Sequence, residues 1–118
     1  MIESQIIDSD NYAASGIETM FFPGGEPHAK IPERVAGKVL LFLKLRTWEQ
    51  TGLAACVIDA LSRNNRVSRL DTFIAYFPGA RQDRSDGRAP LTVKLMVELL
   101  TRNRGNLHVF DAHSHVLP

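Results

Sequence analysis

The last nine residues, FDAHSHVLP at 110–118, put Asp111, His113 and His115 on alternate positions. Alternate residues of an extended segment share a face. A carboxylate and two imidazoles spaced this way have the make-up of a divalent-metal site. A second stretch, ARQDR at 80–84, packs Arg81, Gln82, Asp83 and Arg84 together, with Arg88 close behind. The planar guanidinium fork donates two parallel hydrogen bonds, which suits phosphate. Gln82 adds neutral donors. Asp83 among arginines fits a brace for one of them, or an acceptor for a Mg2+-bound water. The plain alternatives are a solvated loop whose charges nearly cancel and a histidine that is hydrogen-bonded at a strand end. His28 and His108 read as ordinary, and Trp48 as a packing residue.

These groups need elements to position them. KVLLFLKL (38–45) is a continuous apolar run, expected as a strand buried on both faces. LDTFIAYF (70–77) and NLHVFDA (106–112) read as two more strands. QTGLAACVIDALSR (50–63) carries Ala54, Val57, Ile58 and Leu61 at helical spacing. LTVKLMVELLTRN (91–103) does the same with Leu95, Met96, Leu99 and Leu100, between Pro90 and Gly105. The order is strand, helix, strand, helix, strand. It predicts an α/β fold in which 39–44, 70–76 and 106–111 are adjacent in one parallel sheet flanked by helices. Upstream, QII and IETMFF read as short strands, PGGEP as a turn, and NNRVS (64–68) as another turn. Ligands of open parallel sheets bind beyond the strands' carboxyl ends. ARQDR and DAHSH both follow strands there, on one edge of the sheet.

The chain has 118 residues, 44% hydrophobic and 23% charged, with a net charge of +1. That suits one soluble domain and gives no bulk electrostatic case for nucleic acid or an anionic membrane. The single cysteine, Cys56, leaves no internal disulfide. With no signal peptide and no long apolar run, the expected setting is cytoplasmic.

YFPGARQDRSDGRAPLTVKLMVELL closely resembles the F-P-Y-A-R-Q-D-R … R-x-P-I-[ST]-A-K-L segment of phosphoribosyl pyrophosphate synthetases (ribose-phosphate diphosphokinases). FFPGGEPHAKI resembles that family's F-S-D-G-E segment upstream, and VFDAHSHV its D-L-H-A segment downstream. The resemblance implies a phosphoribosyltransferase-like (Rossmann-like) domain and transfer of the β,γ-diphosphate of ATP to ribose 5-phosphate with Mg2+. It implies ATP binding by Arg81, Gln82 and Asp83, adenine contact by Phe22 and Glu26, and Mg2+ ligation by His113. It also implies a homo-oligomer, since the family associates through its first domains and a truncated domain exposes apolar surface; the family's adenine-contacting segment reaches into a neighbouring subunit's site.

There are departures. Gly24 replaces an Asp expected to accept hydrogen bonds from adenine, Pro23 a Ser and Gly79 a Tyr. The resemblance covers roughly half of the family's subunit, as a single truncated domain over 1–118. The acidic loop that holds ribose 5-phosphate and the mobile basic loop lie outside it. Two other readings are a non-catalytic nucleotide-binding partner of synthetase subunits, and an H-x-H metal hydrolase fragment on the strength of DAHSH alone.

Overall fold

The computed structural model describes residues 4–76, 98–100 and 106–109. Six strands are present among them: β1 (Ser4–Asp8), β2 (Glu18–Phe21), β3 (Pro27–Lys30), β4 (Gly37–Lys44), β5 (Val67–Tyr76) and β6 (Asn106–Val109). A 16-residue helix, α1 (Trp48–Arg63), joins β4 to β5. A short 3-10 segment, Ser9–Ser15, follows β1.

Strands β1, β4, β5 and β6 form one sheet in that order, and every pairing is parallel. The expected adjacency of 39–44, 70–76 and the 106 strand holds, with Leu41 opposite Thr72 and Thr72 opposite Leu107. The elements are longer than expected at their starts. β4 begins at Gly37, β5 at Val67 and α1 at Trp48, so the expected turn at 64–68 gives up its last two residues to β5. Of the second helix, residues 98–100 are described and are helical. Leu100 is buried in the core while Leu99 is exposed.

α1 forms where it does because Thr47 and Gln50 make a capping box. Thr47 Oγ1 accepts from the Gln50 amide at 3.1 Å, and Gln50 Oε1 accepts from the Thr47 amide at 3.2 Å. Ala54, Val57, Ile58 and Leu61 then face the sheet as their spacing demands, against Val39, Leu41, Leu43, Leu70 and Ile74.

Two expectations fail. Strand β4 is not buried on both faces. Val39, Leu41 and Leu43 are buried, but Leu40 is partly exposed and Phe42 is 36% exposed. α1 covers one face of the sheet, and nothing described covers the other. Trp48, expected to pack, is 55% exposed on the first turn of α1.

The upstream segment is more ordered than its sequence suggests. Gln5 acts as a backbone mimic: its side chain donates to Arg34 O (2.9 Å) and accepts from the Ala36 amide (3.1 Å). That ties the start of β1 to the chain entering β4. At the other end Ser9 Oγ accepts from the Lys44 amide at 2.9 Å. β2 and β3 form an antiparallel hairpin, with Met20 opposite His28.

Candidate functional site at the carboxyl edge of the sheet

Of the residues singled out in the sequence, Phe22 and Glu26 lie within the described structure. Arg81, Gln82, Asp83, Arg84, Asp111, His113 and His115 lie outside the described residues.

Phe22 and Glu26 flank the tip of the β2–β3 hairpin and are joined there. The Phe22 amide donates to Glu26 O at 2.8 Å, and the Gly25 amide donates to Phe22 O at 2.7 Å. Pro23 suits the second position of such a turn. Gly25 takes the left-handed conformation (φ +89°) that closes three-residue hairpin loops. Gly24 has a different use. A Cβ at that position would stand 3.3 Å from Glu26 Oε1, so the Glu26 carboxylate folds over the bare glycine. An acidic residue at position 24 would crowd that carboxylate with a second one.

The direction of the hairpin follows from its packing. Pro27 Cγ lies 3.5 Å from where a Cβ on Gly52 would be, and Pro27 O is 3.6 Å from Cys56 Sγ. Gly52 is in the first half of α1, which starts just past the carboxyl end of β4. From Pro27 the chain runs down through β3 and 31–36 to Gly37, at the amino edge. The tip at 22–26 therefore projects toward the carboxyl edge of the sheet, the side on which such folds bind ligands.

The tip is an exposed aromatic surface. Met20, Phe21 and Phe22 are 47%, 44% and 42% exposed. The Phe22 ring meets His28 at a centroid distance of 5.6 Å, tilted by 47°. A ring held this way can stack a nucleobase, a contact worth about 1–3 kcal/mol by alanine substitution. Glu26 beside it can accept from an exocyclic amine.

The same edge carries cations not anticipated from the sequence. Asp10 pairs with Arg46 at 3.0 Å and with Lys44 at 3.4 Å. The Arg46 hydrogen bond is the main reason the Asp10 carboxyl sits below its ordinary range. Alternation in K-L-R just past a strand was the available signal, and it is a weak one.

Another unanticipated network lies within the sheet. Asp71, 6% exposed, accepts from Asn106 Nδ2 at 3.0 Å and Arg69 Nε at 2.9 Å, with His108 Nε2 at 3.7 Å. Those two hydrogen bonds, Asn106 first, hold its carboxyl below the ordinary range. Tyr12 is buried, and its hydroxyl has no hydrogen-bond partner among the described residues. Burial is the main cause that pushes this hydroxyl's pKa upward.

Metal ligation finds no ready cage here. Among the described residues no group of three or more His, Cys, Asp or Glu is placed to hold an ion. Asp10 and Asp71 are already engaged by cations. A pocket of about 320 Å³ lined by Gln5, Ile6, Ser15 and Arg34 lies beside the amino half of β1 and holds none of the residues singled out in the sequence. Among the described residues no helix is long and apolar enough to cross a membrane.

Comparison with known proteins supplies the kinship. Over 86 residues the chain is 38% identical to the ribose-phosphate pyrophosphokinase of Rhodopirellula baltica, covering 69% of this chain and 27% of that protein. Its fold is similar to that of phosphoribosylpyrophosphate synthetase from Mycobacterium smegmatis, with a TM-score of 0.69. That likeness, at 18% identity, covers 92% of this chain and 48% of the other, and it speaks for the fold. The chain thus spans about a quarter of the curated relative and about half of the structural one. Residues 2–103 match the family described as the N-terminal domain of ribose phosphate pyrophosphokinase, and to that family the chain belongs.

Proposed function

We propose that residues 1–118 are the ATP-binding half of a ribose-phosphate diphosphokinase. In that reaction the anomeric oxygen of ribose 5-phosphate bonds to the β-phosphorus of ATP. The bond from that phosphorus to the α,β-bridging oxygen breaks, and AMP leaves. Diphosphoryl transfer asks a protein mainly for positioning and charge neutralisation.

The observation that supports this reading is the hairpin tip, where the Phe22 amide donates to Glu26 O and the exposed Phe22 ring stands beside the Glu26 carboxylate's turn. Phe22 stacks on adenine and Glu26 accepts from its amine. Arg81 follows the last residue of β5 by five positions, and His113 follows the last residue of β6 by four. Those strands are neighbours, with Ile74 opposite Val109. Five residues reach at most about 18 Å, so both groups start from one edge. In this reading Arg81 and Gln82 hold the phosphates, Asp83 braces the arginines, and His113 holds Mg2+ directly or through water. Asp111 is a supporting acceptor and His115 a bystander. Mg2+, when bound, neutralises the triphosphate. It prefers oxygen ligands and keeps its waters, so a single imidazole holds it only weakly without the nucleotide.

The site for ribose 5-phosphate belongs to the part of the relatives that this chain does not span. One observation favours a second reading, a nucleotide-binding partner without turnover. Gly24 leaves Glu26 as the carboxylate of the tip.

Calorimetric titration with ATP, with and without Mg2+, tests the assignment. Arg81→Ala should weaken binding about tenfold or more in both conditions. His113→Ala should weaken it only with Mg2+ present, and His115→Ala should change little. Metal dependence carried by His115 and not His113 would refute this alignment of the closing segment.

A further inference from the structure

The hairpin tip offers a bound base few polar groups. Pro23 has no amide proton. The Gly25 amide is engaged by Phe22 O, and the Phe22 amide by Glu26 O. Gly24 brings no side chain, and a Cβ there would meet Glu26 Oε1 alone, at 3.3 Å. Among the described residues the Glu26 carboxylate has no hydrogen-bond or ion-pair partner. Side-chain selection at the tip therefore falls to one exposed glutamate, beside the exposed ring of Phe22.

The ring does not choose between bases, because every base has a π-face to stack. The carboxylate does choose. Its two oxygens accept and cannot donate. On its Watson–Crick edge guanine carries a ring N–H and an exocyclic amine side by side. Two parallel donors match two carboxylate oxygens as a guanidinium fork does. Adenine sets its exocyclic amine beside a bare ring nitrogen. One carboxylate oxygen then accepts, and the other faces a lone pair. Uracil has a single N–H between two carbonyls.

We propose that the tip reads guanine, so that the nucleotide site takes a guanine nucleoside triphosphate at least as well as ATP. Glu26 is the reading group, and Gly24 leaves it unopposed. This inference rests on the proposed nucleotide site and names the base that the site favours. Excluding guanine takes a repulsive element, such as a second acceptor set against its carbonyl oxygen. A glycine at position 24 supplies none. ATP keeps the single hydrogen bond from its amine to Glu26.

Calorimetric titration of the 118-residue chain with GTP, ATP and UTP, each with Mg2+, tests it. The triphosphate is common to all three, so differences report the base. GTP should bind at least as tightly as ATP, and about tenfold or more tighter than UTP. Glu26→Gln keeps the shape but offers one acceptor and one donor, the pattern that pairs with adenine's amine and the ring nitrogen beside it. It should move the affinity ratio about tenfold or more toward ATP. Phe22→Ala should weaken both nucleotides about tenfold and leave their ratio unchanged. Backbone groups of Glu26, not its side chain, close the turn, so Glu26→Gln should keep the fold, which circular dichroism verifies. ATP bound more than tenfold tighter than GTP would overturn this inference and leave the ATP site standing. A ratio that Glu26→Gln does not move, or UTP bound as tightly as GTP, would do the same. Binding of neither purine nucleotide would overturn both readings.

Discussion

Asp71 shows how one side chain can tie a parallel sheet together. It stands on β5 and accepts from Arg69 on its own strand and from Asn106 on β6. Its pKa is lowered in the folded state, chiefly by the Asn106 hydrogen bond. The unfolded carboxyl titrates near its ordinary value of about 3.9. The stabilisation is therefore complete above that value and is lost as pH falls through the lower folded pKa. Asp71→Asn should cost about 2 kcal/mol at pH 7, the scale of hydrogen bonds to a charged group. Urea denaturation at neutral and strongly acidic pH is the check. The gap between variant and parent should shrink at acid pH, and a gap independent of pH would assign the cost to packing.

At the scale of elements, legibility followed how local the cause was. β4, α1 and β5 could be read because a continuous apolar run and a 3.6-residue periodicity are written within each segment. The parallel pairing of β1 with β4 could not, because it is fixed by Gln5 reaching Arg34 and Ala36, about thirty residues away. The apolar run of β4 suggested burial on both faces, yet apolar character alone cannot tell a covered face from an open one. Phe42 and Leu40 are as hydrophobic as Leu41 and face outward. For the candidate site, spacing alone did not single out Phe22 and Glu26; the resemblance did. What the structure adds is the turn that joins them and the Pro27–Gly52 contact that aims it. Two glycines test this hairpin and its seat in opposite directions. Gly25→Ala should destabilise by about 1 kcal/mol, because its φ of +89° strains any side chain although the space is open. Gly52→Ala should stabilise by up to about 1 kcal/mol, since a Cβ there meets Pro27 at an ordinary 3.5 Å and helix propensity improves. Thermal denaturation of both variants reads the two signs.

For the whole molecule, the carboxyl edge of the sheet is where the proposed nucleotide site is to be sought. The edge gathers the Lys44–Asp10–Arg46 cluster and the ends of β5 and β6, with the hairpin tip projecting toward it. The chain spans about a quarter of the curated relative and about half of the structural one. On the proposed reading, with the sugar-phosphate site outside this chain's span, nucleotide binding without transfer is the behaviour expected of the 118 residues on their own. Amide NMR of the labelled chain during addition of ATP and Mg2+ tests this most directly, with phosphorus spectra of the same sample after ribose 5-phosphate is added. Resonances of residues 22–26, 81–84 and 113 should shift together, and no AMP should form. Shifts confined to the Gln5–Ser15–Arg34 pocket, or no shifts at millimolar ATP, would contradict an ATP site at the carboxyl edge. AMP appearing only with ribose 5-phosphate would contradict the division of labour between the two halves.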